Sequence, residues 1–287
     1  MGSVAFSGKA IIVKLAYRHG VDAVTLIMLR MLFALPLFAM MAWWASRSKA
    51  SLTRQDWIGV LGLGFSGYYL ASYLDFAALV YISASLERLI LYLNPTVVML
   101  LGWLMYRRRA SVGQISGMFI SYAGVMLVFG HEMKLDKASP ASIGWGALLC
   151  MLSVFSYAIY LVYSGELVKR LGSLRLVGLA TSVACLFCIA QFLVTRPLVT
   201  VASLVPEVIW LSVLNATLCT AAPVLLVMMA IERIGASAAA QMGMVGPLST
   251  ILMGVLILDE PFNGWMMAGT ALVLTGITVF SRSVPRS

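Results

Sequence analysis

Six ionisable side chains sit inside stretches that are otherwise apolar: Lys9, Lys14, Arg30, Asp75, Glu87 and Arg88. A charge held at the middle of a bilayer costs about 2.5 to 3.5 kcal/mol on insertion scales, so such a group faces a cavity or a partner of opposite sign. All six lie in the first half of the chain. Asp75 and Glu87-Arg88 flank a tight turn near Tyr81 and Ile82, and in an antiparallel hairpin residues whose numbers add to roughly 163 share a depth. That places Asp75 level with Arg88 and predicts an ion pair or shared polar site between them, with Glu87 rotated about 100° away. Two roles fit such a pair, a clamp on the hairpin and a contact for a substrate or proton, and they can coexist.

Hydroxyls and amides add to these charges at helical spacing. Gly64, Tyr68, Ser72 and Asp75 recur on one face, and Ser153, Tyr157, Tyr160 and Ser164 on another, each making a wettable stripe. Asn215 and Gln241 could hydrogen-bond a ligand, although bonding between helices explains any single one of these residues as well. Gly64-Phe65-Ser66-Gly67 has the form of an intramembrane serine protease turn, but such a serine needs a neighbouring base, and both histidines, His19 and His131, fall at helix ends. Small residues there fit close helix packing instead. Cys185 and Cys188 have the spacing of a redox or zinc pair without a second pair or a nearby His, so the four cysteines read as small apolar filler. Neither a cofactor nor a metal site is expected.

The elements that must position these groups are membrane helices. With 61% hydrophobic residues, 11% charged residues and a mean hydropathy of +0.96, a chain of 287 residues is too apolar for a soluble core. A span needs about 20 apolar residues, and ten candidates occur, at roughly 1–17, 23–45, 57–80, 83–105, 112–129, 143–164, 174–195, 207–231, 236–258 and 262–281. Short segments of alternating polarity, the mark of a membrane barrel, do not occur. The expectation is an all-α membrane protein of ten transmembrane helices arranged as two inverted five-helix repeats. Its loops are too short to bury a soluble core.

The repeat is visible in the residues. Tyr81-Ile82-Ser83-Ala84-Ser85 through Asn94-Pro95 to Gly124 aligns without a gap with Arg233-Ile234-Gly235-Ala236-Ser237 through Gly246-Pro247 to Gly276, at an offset of 152. Gly117/Gly269 and Gly124/Gly276 stay in register. The counterparts of Glu87 and Arg88 are the neutral Ala239 and Ala240, so the charges are not shared by the repeats. Pro95 and Pro247 sit inside helices four and nine, where proline removes a backbone bond and clashes with the preceding turn. Kinks or unwinding there would give one weak point on each side of the midplane, a pair of gates.

Charge in the loops sets the orientation. With both termini inside, twelve Lys and Arg residues fall on the cytoplasmic side and four (Arg18, Lys134, Lys137, Arg196) on the other. Arg107-Arg108-Arg109 therefore reads as a topogenic signal, and its aligned counterpart is the acidic Asp259-Glu260-Pro261. The net charge of +9 speaks to topology rather than to nucleic acid. Helix one is short: Phe6-Ser7 matches Phe155-Ser156, yet only five residues precede Phe6, which predicts that further residues of the helix lie upstream. No cleavable signal peptide pattern is visible.

These residues resemble the drug/metabolite transporter superfamily, and within it the ten-helix EamA-type transporters. The resemblance covers nearly the whole chain: Phe6 to Lys14 with Arg30 downstream, Tyr81 to Ser85 with Asn94-Pro95, Gly246-Pro247, Leu256 to Glu260, and Gly269 to Gly276. Leu86 to Tyr92 looks like one bacterial subgroup. The chain departs from the family in carrying Arg108 where a Glu often follows helix four, and in its short first helix. The resemblance implies two EamA-type repeats, 1–130 and 141–282, in a multi-pass protein of the bacterial inner membrane with cytoplasmic termini. It also implies a central cavity for small metabolites such as amino acids.

Combined with the residue reading, Lys14 and Arg30 are expected to meet anionic groups. Asp75, Glu87 and Arg88 would give polarity or proton coupling, Tyr68, Tyr92, Tyr157 and Tyr160 would form walls, and Asn215 and Gln241 would add hydrogen bonds. The absence of a Walker motif argues against ATP as a directly bound fuel and leaves proton-coupled antiport or uniport. The expected activity is secondary transport by alternating access, not enzymatic catalysis, with multidrug efflux, a lipid flippase or a non-transporting membrane subunit as alternatives. The partners are a small-molecule substrate and membrane lipid, with a homodimer open and no nucleic acid.

Overall fold

A computed structural model of the chain describes residues 2–47, 51–91, 93–106, 111–135, 140–202, 204–224, 226, 245–259 and 263–283. These residues are helical throughout apart from short turns and connections. The elements are α1 (Gly2–Tyr17), α2 (Ala23–Ser46), α3 (Arg54–Leu63), a π-helical segment (Gly64–Leu70), α4 (Ala71–Ala78), α5 (Ala84–Leu91), α6 (Asn94–Tyr106), α7 (Val112–Leu135), α8 (Pro140–Leu171), α9 (Ser173–Thr195), α10 (Val199–Ala202), α11 (Pro206–Ala216), a second π-helical segment (Thr217–Ala221), α12 (Val245–Leu258) and α13 (Gly264–Arg282). An all-helical arrangement is what a bilayer demands, since backbone polar groups there must bond within their own segment. Five described stretches are long and apolar enough to cross a membrane: Ala23–Ser46, Val112–His131, Ala141–Ser164, Ser173–Thr195 and Pro206–Val224.

Helix ends follow local chemistry. Asp22 caps α2 by accepting from the backbone N–H groups of Val24 and Thr25, which satisfies donors the first turn leaves open. Thr53 and Asp56 form a capping box at the start of α3, and Arg170 from the end of α8 binds Asp56 Oδ1 at 2.5 Å. The helix expected at 83–105 is broken ahead of its proline, α5 ending at Leu91 and α6 starting at Asn94 with Pro95 in its first turn. Pro247 lies in the first turn of α12, and the residues before 245 fall outside those described. Pro36, by contrast, sits inside α2 without ending it.

The helices pair in a regular pattern: α7 packs on α13, α2 on α9, α1 on both α11 and α12, and α8 on α4, α5 and α6. Glycines make the α7–α13 contact possible. A Cβ added at Gly117 would lie 2.5 Å from the carbonyl oxygen of Gly276, and one at Gly124 would lie 2.6 Å from that of Gly269. The four glycines that the offset of 152 aligns therefore meet crosswise at one interface. Both π-helical segments were unforeseen. The second spans residues that stand 152 positions after 65–69, within the first.

Candidate functional site

Helix α1 carries Lys9 into the bundle, α2 carries Arg30, α4 carries Asp75 and Phe76, and α5 carries Glu87 and Arg88. The ionisable five are 8% exposed or less, and Glu87 is fully enclosed. Lys9 Nζ donates a short hydrogen bond to Asp75 Oδ2 and forms an ion pair with it. Glu87 Oε2 lies 3.7 Å from Arg88 Nε, and Asp75 and Glu87 are close enough to act on each other. Arg30 stacks its guanidinium over the Phe76 ring, 4.6 Å from the centroid, a placement that suits a planar cation with little access to water.

The expected pairing is thus corrected. The direct ion-pair partner of Asp75 is Lys9 rather than Arg88, although Asp75 and Arg88 do share one buried polar site as the depth argument expected, and Glu87 joins that site rather than turning away. The hairpin rule compared depths within one pair of helices only, whereas α1 reaches the same depth from elsewhere in the bundle. Lys9 was recognised as a buried charge, but its pairing could be found in sequence only by asking which cation balances Asp75 across helices.

The cluster is rich in polar atoms that make no hydrogen bond. Nε of Arg30 and Nε and Nη2 of Arg88 are buried without one, while the carboxyls of Asp75 and Glu87 have each other within hydrogen-bond reach and no further hydrogen-bond donor reaches Glu87. Both amide atoms of Asn215 on α11, outside this group of residues, are likewise buried and unbonded. A buried polar atom left in this state costs about 1 to 3 kcal/mol. Three cations against two acids also leave the cluster one positive charge when all five are ionised. A small polar molecule carrying both a donor and an acceptor would satisfy such a site.

Other expected site residues lie elsewhere. Lys14 lines a cavity of about 1090 Å³ bounded by the end of α1, the start of α2, the α4–α5 turn, the end of α7 and the α12–α13 connection. Tyr68, Tyr157 and Tyr160 form their own aromatic cluster: Tyr68 and Tyr160 meet edge to face at 5.2 Å, and Tyr157 stacks on Tyr160 at 5.5 Å. The two stripes of polar residues meet only in part, where the π-helical segment and α4 pack on α8: Tyr68 reaches Tyr160, whereas Gly64 faces α9 and Asp75 faces Lys9. Ser153 donates to the Ala71 carbonyl and Ser156 to that of Ser66, each at 2.7 Å. Ser66 itself donates to the Gly62 carbonyl at 3.0 Å. Tyr92 and Gln241 lie outside the described residues. The cysteines are buried free thiols, and His131 stacks on Trp265 and bonds Asn263 at 2.7 Å.

Comparison with known proteins assigns this architecture. The sequence pattern of the EamA-like transporter family matches residues 1–130 and 144–282. The chain belongs to that family. Among its relatives, the uncharacterized transporter YcbK of Bacillus subtilis is 29% identical over 283 residues, covering 97% of this chain and 89% of that protein. An uncharacterized transporter of Archaeoglobus fulgidus is 22% identical over 272 residues, covering 95% and 92%. A solved structure described only as that of a protein superposes with a TM-score of 0.61 at 18% identity, over 96% of this chain and 95% of its own. This EamA-like chain is therefore a multi-pass membrane protein of a transporter family, and its relatives carry the name transporter without a named substrate.

Proposed function

We propose that this EamA-like protein is a secondary transporter of a small charged or zwitterionic metabolite, such as an amino acid, bound at the cluster of Lys9, Arg30, Asp75, Glu87 and Arg88. The observation that carries this reading is the gathering at one place of buried charged groups whose hydrogen bonding is incomplete, with Arg30 Nε and Arg88 Nη2 lacking an acceptor and Glu87 meeting Arg88 only at 3.7 Å. A packing device would have no use for them, since a half-satisfied polar network is less stable than an apolar core. An α-carboxylate would accept from the arginines, and an ammonium would donate to Glu87 and to Oδ1 of Asp75.

The two halves, 1–130 and 141–282, act as inverted five-helix repeats that rock to expose the site alternately. Three observations support this arrangement. The helix pairings map onto one another when helices of the first half are exchanged for those of the second. The aligned glycines meet crosswise between α7 and α13. The π-helical segments fall at matching places, and π-helical turns occur often at functional sites. The excess of Lys and Arg on one side supports an orientation with both termini in the cytoplasm and the 1090 Å³ cavity on the opposite side of a bacterial inner membrane.

The test is a thermal-shift panel of amino acids and related metabolites on the protein in proteoliposomes, repeated on Glu87→Gln and Arg88→Ala. A stabilising compound whose effect disappears in either variant, while the variant remains folded, supports the reading and gives the substrate class. Stabilisation unchanged in both variants moves the binding site away from the cluster. Stabilisation only by apolar cations would replace the metabolite by multidrug efflux.

A further inference from the structure

The 1090 Å³ cavity stops short of the charged cluster, and Tyr17 stands where it stops. Tyr17 lines the cavity, and its hydroxyl donates a 2.6 Å hydrogen bond to the backbone carbonyl of Phe76. That carbonyl belongs to the last turn of α4, where the following amides turn elsewhere: Leu79 N–H donates to Asp75 and Val80 N–H to Ala77. Tyr17 supplies the donor that the helix end lacks. Phe76 is fully buried, and its ring covers Arg30 and lies 6.0 Å from Lys9 Nζ. Beyond it are Asp75, Glu87 and Arg88. Tyr17 and Phe76 together form an aromatic wall between a large open space and an enclosed site that needs access. The next residue, Arg18, donates to the Leu258 carbonyl at the end of α12 at 3.1 Å, so the end of α1 is tied to α4 on one side and to α12 on the other.

We propose that the cavity is the access chamber for the transported compound and that Tyr17 is the gate between this chamber and the charged cluster, opening when its hydroxyl leaves the Phe76 carbonyl. The proposal rests on the reading of the cluster as the transport site. When Tyr17 swings away, its hydroxyl and the freed carbonyl both meet the chamber, where water or a polar group of the passing compound takes up their hydrogen bonds. The closed state is therefore favoured by roughly the net value of one hydrogen bond together with ring packing, a margin small enough for thermal opening. Movement of α1 against α4 or α12 during rocking of the halves would shift that balance, because both ties are made by adjacent residues of one turn.

Cys150 is a built-in reporter for this gate. It is fully buried against the cluster, its Sγ 3.7 Å from the Glu87 carbonyl oxygen. Labelling of the full chain in proteoliposomes with sulfonatoethyl methanethiosulfonate, an anionic reagent that does not cross lipid, is followed at Cys150 by mass spectrometry. It needs no substrate. Tyr17→Phe keeps the ring and removes the bond, and is expected to speed labelling by about two- to tenfold. Tyr17→Ala is expected to speed it further, and His19→Ala, at the same end of α1 but outside the cavity lining, to leave the wild-type rate. Equal rates in wild type and Tyr17→Phe overturn the gate, as does wild-type labelling as fast as that of the unfolded chain. If Tyr17→Ala fails to fold, Tyr17→Phe decides alone. Labelling that responds to Tyr17 in a protein that no metabolite stabilises would keep the gate and remove the metabolite reading, so the two fail separately.

Discussion

Replacing Lys9 by Met or Asp75 by Asn removes one member of an ion pair whose residues are 7% and 2% exposed. Each single change strands a charge where water cannot solvate it, and breaking a buried pair in this way costs about 3 to 5 kcal/mol. Glu87 and Arg88 stand beside the pair and offer the stranded group partial compensation, which places each single loss at the low end, about 3 kcal/mol. The double change removes one cation and one anion together, leaves the net charge of the cluster as it was, and strands nothing. Its loss should be smaller than the sum of the two singles by about 2 kcal/mol or more. The assay is reversible unfolding in mixed micelles followed by the fluorescence of the seven tryptophans, with all four chains of the cycle measured under one condition. Single losses that simply add, to within about 0.5 kcal/mol, would mean that Lys9 and Asp75 do not support one another, and the cluster geometry would be wrong.

Three further outcomes follow from other parts of the molecule. Gly117→Ala or Gly276→Ala drives a methyl against a facing backbone at the α7–α13 contact and should cost about 1 to 3 kcal/mol. Gly130→Ala in the same α7, where nothing lies within 4 Å of the added Cβ, should be neutral or mildly stabilising in the same unfolding assay. Ser153→Ala removes the donor to the Ala71 carbonyl and should lower stability by about 1 kcal/mol; no change would return this serine to a water-facing stripe. At Asp22, outside the spans, burial pushes the carboxyl up, but hydrogen bonds from Thr25 and the charge and hydrogen bond of Arg196 outweigh it and hold the group below the usual carboxylate value. Its contribution is thus present above about pH 4, the range of the unfolded group, and is lost as pH falls through the lower folded value. Wild type should be more stable than Asp22→Asn at neutral pH, and a pH series of unfolding midpoints should show the difference closing in acid.

Much of the fold was legible because a bilayer leaves the backbone few options. Apolar runs had to be helices, and one of them breaks just ahead of Pro95, whereas Pro36 leaves α2 continuous. The aligned glycines marked close contacts although sequence could not say with what. Tertiary partners were less legible. Nothing local links Lys9 to Asp75, since depth can be counted along a hairpin but not between helices joined by long connections. The π-helical segments leave no period in the sequence, and the first also accepts a bond from another helix, Ser156 to the Ser66 carbonyl. Tyr17 has the position of an ordinary interfacial aromatic at a helix end, and only the bond to Phe76 distinguishes it. Of the tyrosine and serine stripes, Tyr68, Tyr157 and Tyr160 come together and Ser153 meets α4, but Gly64 and Asp75 turn to other helices across the π-helical segment, and periodicity cannot tell whether a polar face meets water or another helix.

The sites of symmetry and of chemistry are separate in this chain. Where the halves align, the shared residues are small ones at close contacts. The charges of the cluster, by contrast, have apolar counterparts: Glu87 and Arg88 align with Ala239 and Ala240, and Asp75, at the same offset, with Val227. The match of Phe6-Ser7 with Phe155-Ser156 sets Lys9 opposite Ala158, a fully buried residue. Had packing required a buried ion pair at these places, the second half would need one too, since its helices pair in the corresponding way. Its sequence carries alanine or valine at those positions. Well-packed apolar residues commonly serve stability as well as or better than buried ion pairs, so the charges of the first half are retained at a cost that the second half avoids. On the proposed function, a single site for a polar compound would account for that asymmetry, because one bound molecule needs one set of contacts, whereas rocking about a shared interface would need two matching halves.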